Sequence, residues 1–208
     1  MRQNARRMMQ AIRVRRARDG QRGSALVEFA LVVVLMMTLI FGIVEFSLAW
    51  SVKSQAQAAV RAGGRTASAL TKSDDLTVNA ALAVGAALQS VNENEPEYVM
   101  IYRVGPGDSG DPPSGGSCAA ASCSKFDWDP VAKQFKTSTD NGPGWTATNQ
   151  LNNCDVSDPS QFDQVGVYVK VTHPFIAIQN FVPGMSNDVV LDPHSVFRLE
   201  PSSSTGCS

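Results

Sequence analysis

The sequence has few of the residues from which metal centres and catalytic sites are usually built. Its 208 residues include only two histidines and four cysteines. His173 and His194 lie far in sequence from the cysteines, and no two cysteines have the Cys-x-x-Cys spacing that is typical of zinc sites. No Gly-x-Ser-x-Gly, phosphate-loop or dinucleotide-binding motif occurs. We therefore expect no metal, no cofactor and no enzymatic activity.

One short run, Gly107-Asp108-Ser109-Gly110, resembles the nucleophile loop of trypsin-like serine proteases. In that fold the catalytic histidine comes well before the serine, whereas both histidines of this chain follow Ser109. We interpret the run as a surface loop.

Basic residues are absent from the segment between residues 24 and 50, in which the only charged residues are the acids Glu28 and Glu45. The preceding residues 1–23 hold eight arginines and one acid, and residues 51–208 carry a net charge of −6. Since the basic charge forms one short terminal run and does not spread over a folded face, we expect no nucleic-acid binding.

The segment without basic residues is long and apolar enough to cross a membrane. Sixteen residues from Phe29 to Val44 carry no charge, and the wider segment 24–50 has 27 residues, where a span needs about 20. A buried core helix fits the sixteen-residue run alone, and a signal peptide would need a shorter apolar region and a small-residue cleavage site. The arginine-rich flank favours a single membrane span with the amino terminus in the cytoplasm. We predict a basic cytoplasmic leader at 1–23, a transmembrane helix at 24–50 of the cytoplasmic (inner) membrane, and an external remainder.

The junction between leader and span has a specific pattern. A basic leader ends at Gly23, the small residue Ser24 follows, and Glu28 is the fifth residue after the glycine, next to Phe29. Gly42 and Glu45 mark the far end of the span, and an alanine-rich helix with Arg61 and Arg65 follows. Over residues 20–70 the chain resembles the TadE-like family of the tight-adherence (Flp) pilus system, whose members are minor pseudopilins.

The resemblance implies how the chain is processed and what it binds. Prepilin peptidase would cut between Gly23 and Ser24. Glu28 and Phe29 would serve helix docking, and the Glu28 carboxylate would offset the positive charge of the new amino terminus of its own or a neighbouring subunit. The implied partners are the membrane, prepilin peptidase, other pilin-like subunits and pilus assembly proteins. Because Ser24 and not phenylalanine follows the cut, methylation of the new terminus is not implied.

The remaining chain predicts an α+β fold. Residues 51–95 favour a helical stalk with a second helix; either these helices pack on partner helices or they cover the protein's own sheet, and Gly63-Gly64 is a point where the first can bend. Residues 96–208 predict a small antiparallel head, with strands at 98–104, 165–172 and 195–199 and a long irregular insert at 105–164.

All four cysteines fall in the predicted exterior, where disulfides form. Four cysteines allow three pairings. We favour a local Cys118–Cys123 disulfide and a Cys154–Cys207 disulfide that holds the tail.

Two classes of function fit the sequence. The first is a structural or assembly protein, a minor pseudopilin that docks through its hydrophobic helix and lies in the membrane or in a surface pilus. The second is a single-pass, membrane-anchored binding module with no pilus role. Loss of residues 1–23 distinguishes the first from the second.

Overall fold

The computed structural model describes residues 2–70, 72–92, 95–118, 122–139, 144–151, 158, 161–175 and 187–200, with side chains from residue 23 onward. Within these described residues two α-helices and six strands follow one another: α1 (Arg2–Ala69), α2 (Leu76–Ala87), β1 (Pro96–Val104), β2 (Cys123–Asp129), β3 (Gln134–Thr137), β4 (Gln164–Pro174), β5 (Asp188–Leu191) and β6 (His194–Arg198). The chain divides into two compact units, Met1–Phe46 and Ser47–Ser208. The long amino-terminal apolar helix, second helix and antiparallel sheet confirm the predicted fold class.

Among the described residues, the strands form one antiparallel sheet in the order β3-β2-β1-β4-β5. One edge of β4 pairs with β1. Along its other edge, β5 pairs with the last residues of β4, Val171 to Pro174, and β6 pairs with the first, Gln164 to Tyr168. The predicted strands at 98–104 and 165–172 lie within β1 and β4. The alternating valines of β4 are fully buried, as a strand with one face against a core requires.

The core lies between one face of this sheet and two helices. The carboxyl-terminal part of α1 buries small and medium residues at helical spacing: Val52, Ala56, Ala59, Val60 and Ala67. The inner face of α2 adds Leu76, Ala80, Ala81 and Val84. Of the two arrangements left open for residues 51–95, the structure shows the one in which the helices cover the protein's own sheet.

Gly63 and Gly64 do not end α1, which is continuous through them. Their role is close packing. A Cβ added at Gly63 would overlap Val84 Cγ2 and lie 3.1 Å from the Ala80 carbonyl oxygen, and one at Gly64 would overlap the ring of Phe197. The sequence alone suggested a bend because it does not show what lies opposite each glycine.

The insert at 105–164 is more ordered than its composition predicted. It contains the β2–β3 hairpin, in which Trp128 and Phe135 make an edge-to-face contact at 5.0 Å. Trp145 and Gln150 are also buried, and Gln150 accepts the Lys72 backbone N–H at 2.6 Å and donates to the Ser73 carbonyl at 3.0 Å. A glutamine in a polar run thus attaches the insert to the connection between α1 and α2.

Candidate functional site

The first unit presents an apolar helix surface that nothing in the described protein covers. Within α1, the region from Gly23 onward contains an 18-residue window with a mean hydropathy of 2.7 and no buried residue. In the described part of the chain, this is the one helix long and apolar enough to cross a membrane. Leu26, Phe29 and Leu31 are 66–69% exposed, which would be unfavourable in water. The arrangement fits single-pass membrane anchoring.

The predicted processing and docking residues lie at the start of this surface. Gly23, Ser24, Glu28 and Phe29 are all exposed, and a Cβ at Gly23 would meet no atom within 4 Å. Ser24 and Glu28 are four residues apart in a helix and therefore share one face, with their Cβ atoms about 6 Å apart. A new amino terminus at Ser24 would lie one turn from the Glu28 carboxylate, within reach of the same chain or of a neighbour.

The second acid of the apolar segment, Glu45, has the opposite environment. It is 2% exposed, while the flanking Val44 and Phe46 are 50% and 67% exposed. A carboxylate shielded from solvent has lost its hydration and needs a polar partner inside the protein, since burying a charge without one is costly. The sequence showed both acids, but only the structure separates the exposed Glu28 from the shielded Glu45.

A shallow groove of about 420 Å³ lies on the same helix, lined by Thr38, Leu39, Gly42, Ile43 and Phe46. It forms because Gly42 has no side chain, and a Cβ at this position would meet nothing within 4 Å. The Thr38 hydroxyl donates to the Leu35 carbonyl at 2.8 Å, so its hydrogen bond is satisfied within the helix. Small residues of this kind let helices approach closely in membranes.

The head holds its polar groups in ion pairs and hydrogen bonds that position loops. Asp163 is fully buried, lies 2.8 Å from Arg103 Nε, and accepts the Leu151 backbone N–H at 2.8 Å. His173 Nδ1 lies 3.1 Å from the buried Glu95 carboxylate. Both pairs join segments far apart in sequence, which is why sequence reasoning missed them.

The loop of Gly107 to Gly110 has a structural role. Asp108 accepts the Gly105 backbone N–H at 2.8 Å, and the Gly110 carbonyl accepts a hydrogen bond from the buried Tyr102 hydroxyl at 2.8 Å. Burial, and next the nearby Asp111, raise the pKa of Tyr102 to about 12, so this hydroxyl remains a donor at neutral pH. No group of three or more potential metal-binding side chains occurs in the part of the chain that the structure describes.

The cysteines fall partly within the described residues. A disulfide joins Cys118 to Cys123, the local pair favoured above, and both residues are buried against Met100, Tyr102 and Val104 on the outer face of the sheet. Cys154 and Cys207 lie outside the described residues, so their pairing stays a prediction.

Comparison with known proteins bears on the amino-terminal segment. Residues 23–65 match the family model described as TadE-like protein. The match begins at the predicted processing site and includes Glu28, Glu45 and Arg61, and it confirms the resemblance over this segment. Neither the curated proteins nor the solved structures contain a match to this chain.

Proposed function

We propose that this protein is a minor pseudopilin of a Tad (Flp) pilus: a non-enzymatic membrane protein that prepilin peptidase processes and that docks onto other pilin-like subunits through its amino-terminal helix. The observation that carries the proposal is the uncovered apolar surface of α1, which begins at a Gly23–Ser24 junction inside the TadE-like match. Such a surface is stable only in lipid or against other apolar helices.

The direction of insertion follows from charge. The arginines of residues 1–23 hold the leader in the cytoplasm, where it is available for removal, and the head of Ser47–Ser208 lies outside the cytoplasmic membrane. In this arrangement the cysteines lie in an oxidising compartment, which suits the Cys118–Cys123 disulfide.

Processing is the decisive test. Amino-terminal sequencing of the protein from membranes and from sheared surface filaments should begin at Ser24 and read SALVEF. Gly23→Leu should block the cut, and Gly20→Leu, a matched change three residues earlier, should leave it intact. An intact Met1 terminus in cells with an active prepilin peptidase would contradict the proposal and favour the membrane-anchored binding module.

A further inference from the structure

A cavity of about 180 Å³ lies on the second unit between α1 and the turn from β5 to β6. It is lined by Lys53 and Gln57 of the helix and by residues 190–193 of the turn: Val190, Leu191, Asp192 and Pro193. The volume is about six times a water molecule's share of liquid volume, which is enough for a small charged group. The lining combines a cation, an anion and an amide with apolar side chains.

The two charges of this cavity are available to a ligand. Lys53 and Asp192 are both exposed, and within the described part of the chain neither forms an ion pair. The Lys53 ammonium lies 5.9 Å from the centre of the Trp50 ring, a contact that leaves its hydrogen-bond donors free. A ligand with its own positive and negative groups would match both walls.

The position of the cavity along α1 identifies the kind of ligand. Trp50 ends the apolar segment and is 61% exposed, as is typical of tryptophan at a membrane interface. Lys53 and Gln57 are three and seven residues further, or about 4.5 and 10.5 Å along the helix axis. The headgroup layer extends about 5–8 Å beyond the hydrocarbon core. Lys53 therefore lies within the headgroup layer and Gln57 just beyond it, so that the mouth of the cavity lies at the outer edge of the phospholipid headgroups.

We propose that this cavity binds the headgroup of an aminophospholipid. Lys53 and Gln57 hold the phosphate, and Asp192 accepts hydrogen bonds from the primary ammonium group. An anionic glycerol headgroup would meet repulsion from Asp192, and a trimethylated ammonium offers that carboxylate no N–H donor. The inference rests on the membrane insertion contained in the proposed function, and it adds a specific lipid contact that holds the head at the bilayer surface.

The test uses the full chain, purified in detergent and titrated with phosphatidylethanolamine, phosphatidylcholine or phosphatidylglycerol, with bound lipid measured by native mass spectrometry. Phosphatidylethanolamine should bind most tightly. Lys53→Gln should weaken its binding about fivefold, the scale of one partly exposed charged contact. Asp192→Asn should abolish the preference for phosphatidylethanolamine over phosphatidylglycerol.

Matched charge-removing controls are Arg61→Gln, on the exposed side of α1 beyond the headgroup layer, and Asp127→Asn, on β2. Both should bind lipid as the unaltered protein does. Equal binding of the three lipids, tighter binding of phosphatidylglycerol, or equal effects of the control and cavity variants would overturn the inference. Alkaline carbonate extraction separates this failure from that of the proposed function: release of the protein from membranes refutes both, whereas an integral protein without lipid preference refutes the headgroup site alone.

Discussion

Glu28 is the acid that the isolated chain leaves exposed on its membrane-spanning surface. A carboxylate in lipid is costly unless it meets a cation, and the cation one helical turn away would be the ammonium group of processed Ser24. Under the proposed function, the electrostatic partner would be created by processing and would be supplied by the same chain or, in an assembly, by the next one.

We expect Glu28→Gln and Glu28→Ala to leave membrane insertion intact and to lower co-purification with pilus subunits about tenfold, the effect of losing about 1.4 kcal/mol of docking free energy. Glu28→Asp keeps the charge and should retain most of the docking. The measurements are carbonate extraction, pull-down of pilus subunits and the yield of sheared filaments. Normal piliation in the Glu28→Gln strain would refute the docking role while leaving the anchor intact.

A second residue-level feature is the ion pair between Lys170 and Glu97, which joins β4 to β1. Lys170 Nζ lies 2.8 Å from Glu97 Oε2, and the Thr172 hydroxyl donates to the other oxygen. Burial alone would raise the pKa of Glu97, but the hydrogen bonds from Lys170 and Thr172 outweigh it and lower the pKa below 4.5. The hydrogen bond to Glu97 likewise raises the pKa of Lys170 above 10.5, against the smaller effect of burial.

The signs of these shifts define a pH window. The lowered pKa of Glu97 stabilises the fold above pH 4.5, and this stabilisation is lost as the pH falls through the folded pKa of Glu97. The raised pKa of Lys170 stabilises the fold below pH 10.5, and this stabilisation is lost as the pH rises through the folded pKa of Lys170. Because the pair is partly exposed, its contribution is about 0.5 kcal/mol. Denaturant unfolding of Glu97→Gln at neutral pH should show this loss, and the difference from the unaltered protein should shrink as the pH falls through the folded pKa of Glu97, which lies below 4.5. A difference independent of pH would assign the effect to packing.

Among the elements, α1 changes its surface chemistry along its length. From Leu26 to Phe46 most of its large apolar side chains are exposed, and from Val52 onward small residues face the sheet and α2. The helix therefore presents an uncovered apolar surface in its first part and contributes to a protein core in its second. The second role depends on residues without bulk, because α2 and the sheet approach the helix closely.

Gly63→Ala tests this close approach. The added methyl group would overlap Val84 and crowd the Ala80 carbonyl, at a cost of about 1–3 kcal/mol, although alanine favours a helix by about 1 kcal/mol. We expect a net loss that lowers the Tm of the head by about 2–6 °C. Gly42→Ala is the matched control in the same helix, since its Cβ would contact nothing within 4 Å. An unchanged or raised Tm for Gly63→Ala would show that α2 shifts freely away from α1.

At the scale of the whole molecule, the compact unit Ser47–Ser208 includes the carboxyl-terminal part of α1, and the membrane segment precedes it. The core of the head takes Val52, Ala56, Ala59, Val60 and Ala67 from this helix. The carboxyl-terminal part of α1 thus belongs to the core of the head and cannot be removed without opening that core.

Two truncations separate these roles. A chain of residues 47–208 should be monomeric in solution and unfold cooperatively, because it keeps every core residue that the helix supplies. A chain of residues 70–208 should fail to fold, because it leaves the inner valines of β1 and β4 exposed to water. Circular dichroism and thermal unfolding measure both. Cooperative unfolding of the shorter chain would refute the role of α1 as a cover for the sheet.

Several structural features of this protein can be predicted from short stretches of its sequence. The membrane segment depends on the hydropathy of adjacent residues, the strands of β1 and β4 on alternation, and the Cys118–Cys123 disulfide joins residues only five positions apart. Each is a local property, so each was predicted before the structure. The β2–β3 hairpin was missed because its two short strands lie in a run rich in glycine, proline and serine, where turn residues obscure the alternation of Phe126 and Trp128.

Only the tertiary structure decided what each element packs against. It places α1 and α2 on their own sheet, gives Gly63 and Gly64 a packing role, and buries Asp163 against Arg103, sixty positions earlier in the chain. It also distinguishes the exposed Glu28 from the shielded Glu45, two acids that the sequence presents alike. These outcomes depend on contacts between residues distant in the chain, and helical or strand periodicity specifies which face is apolar without specifying what covers it.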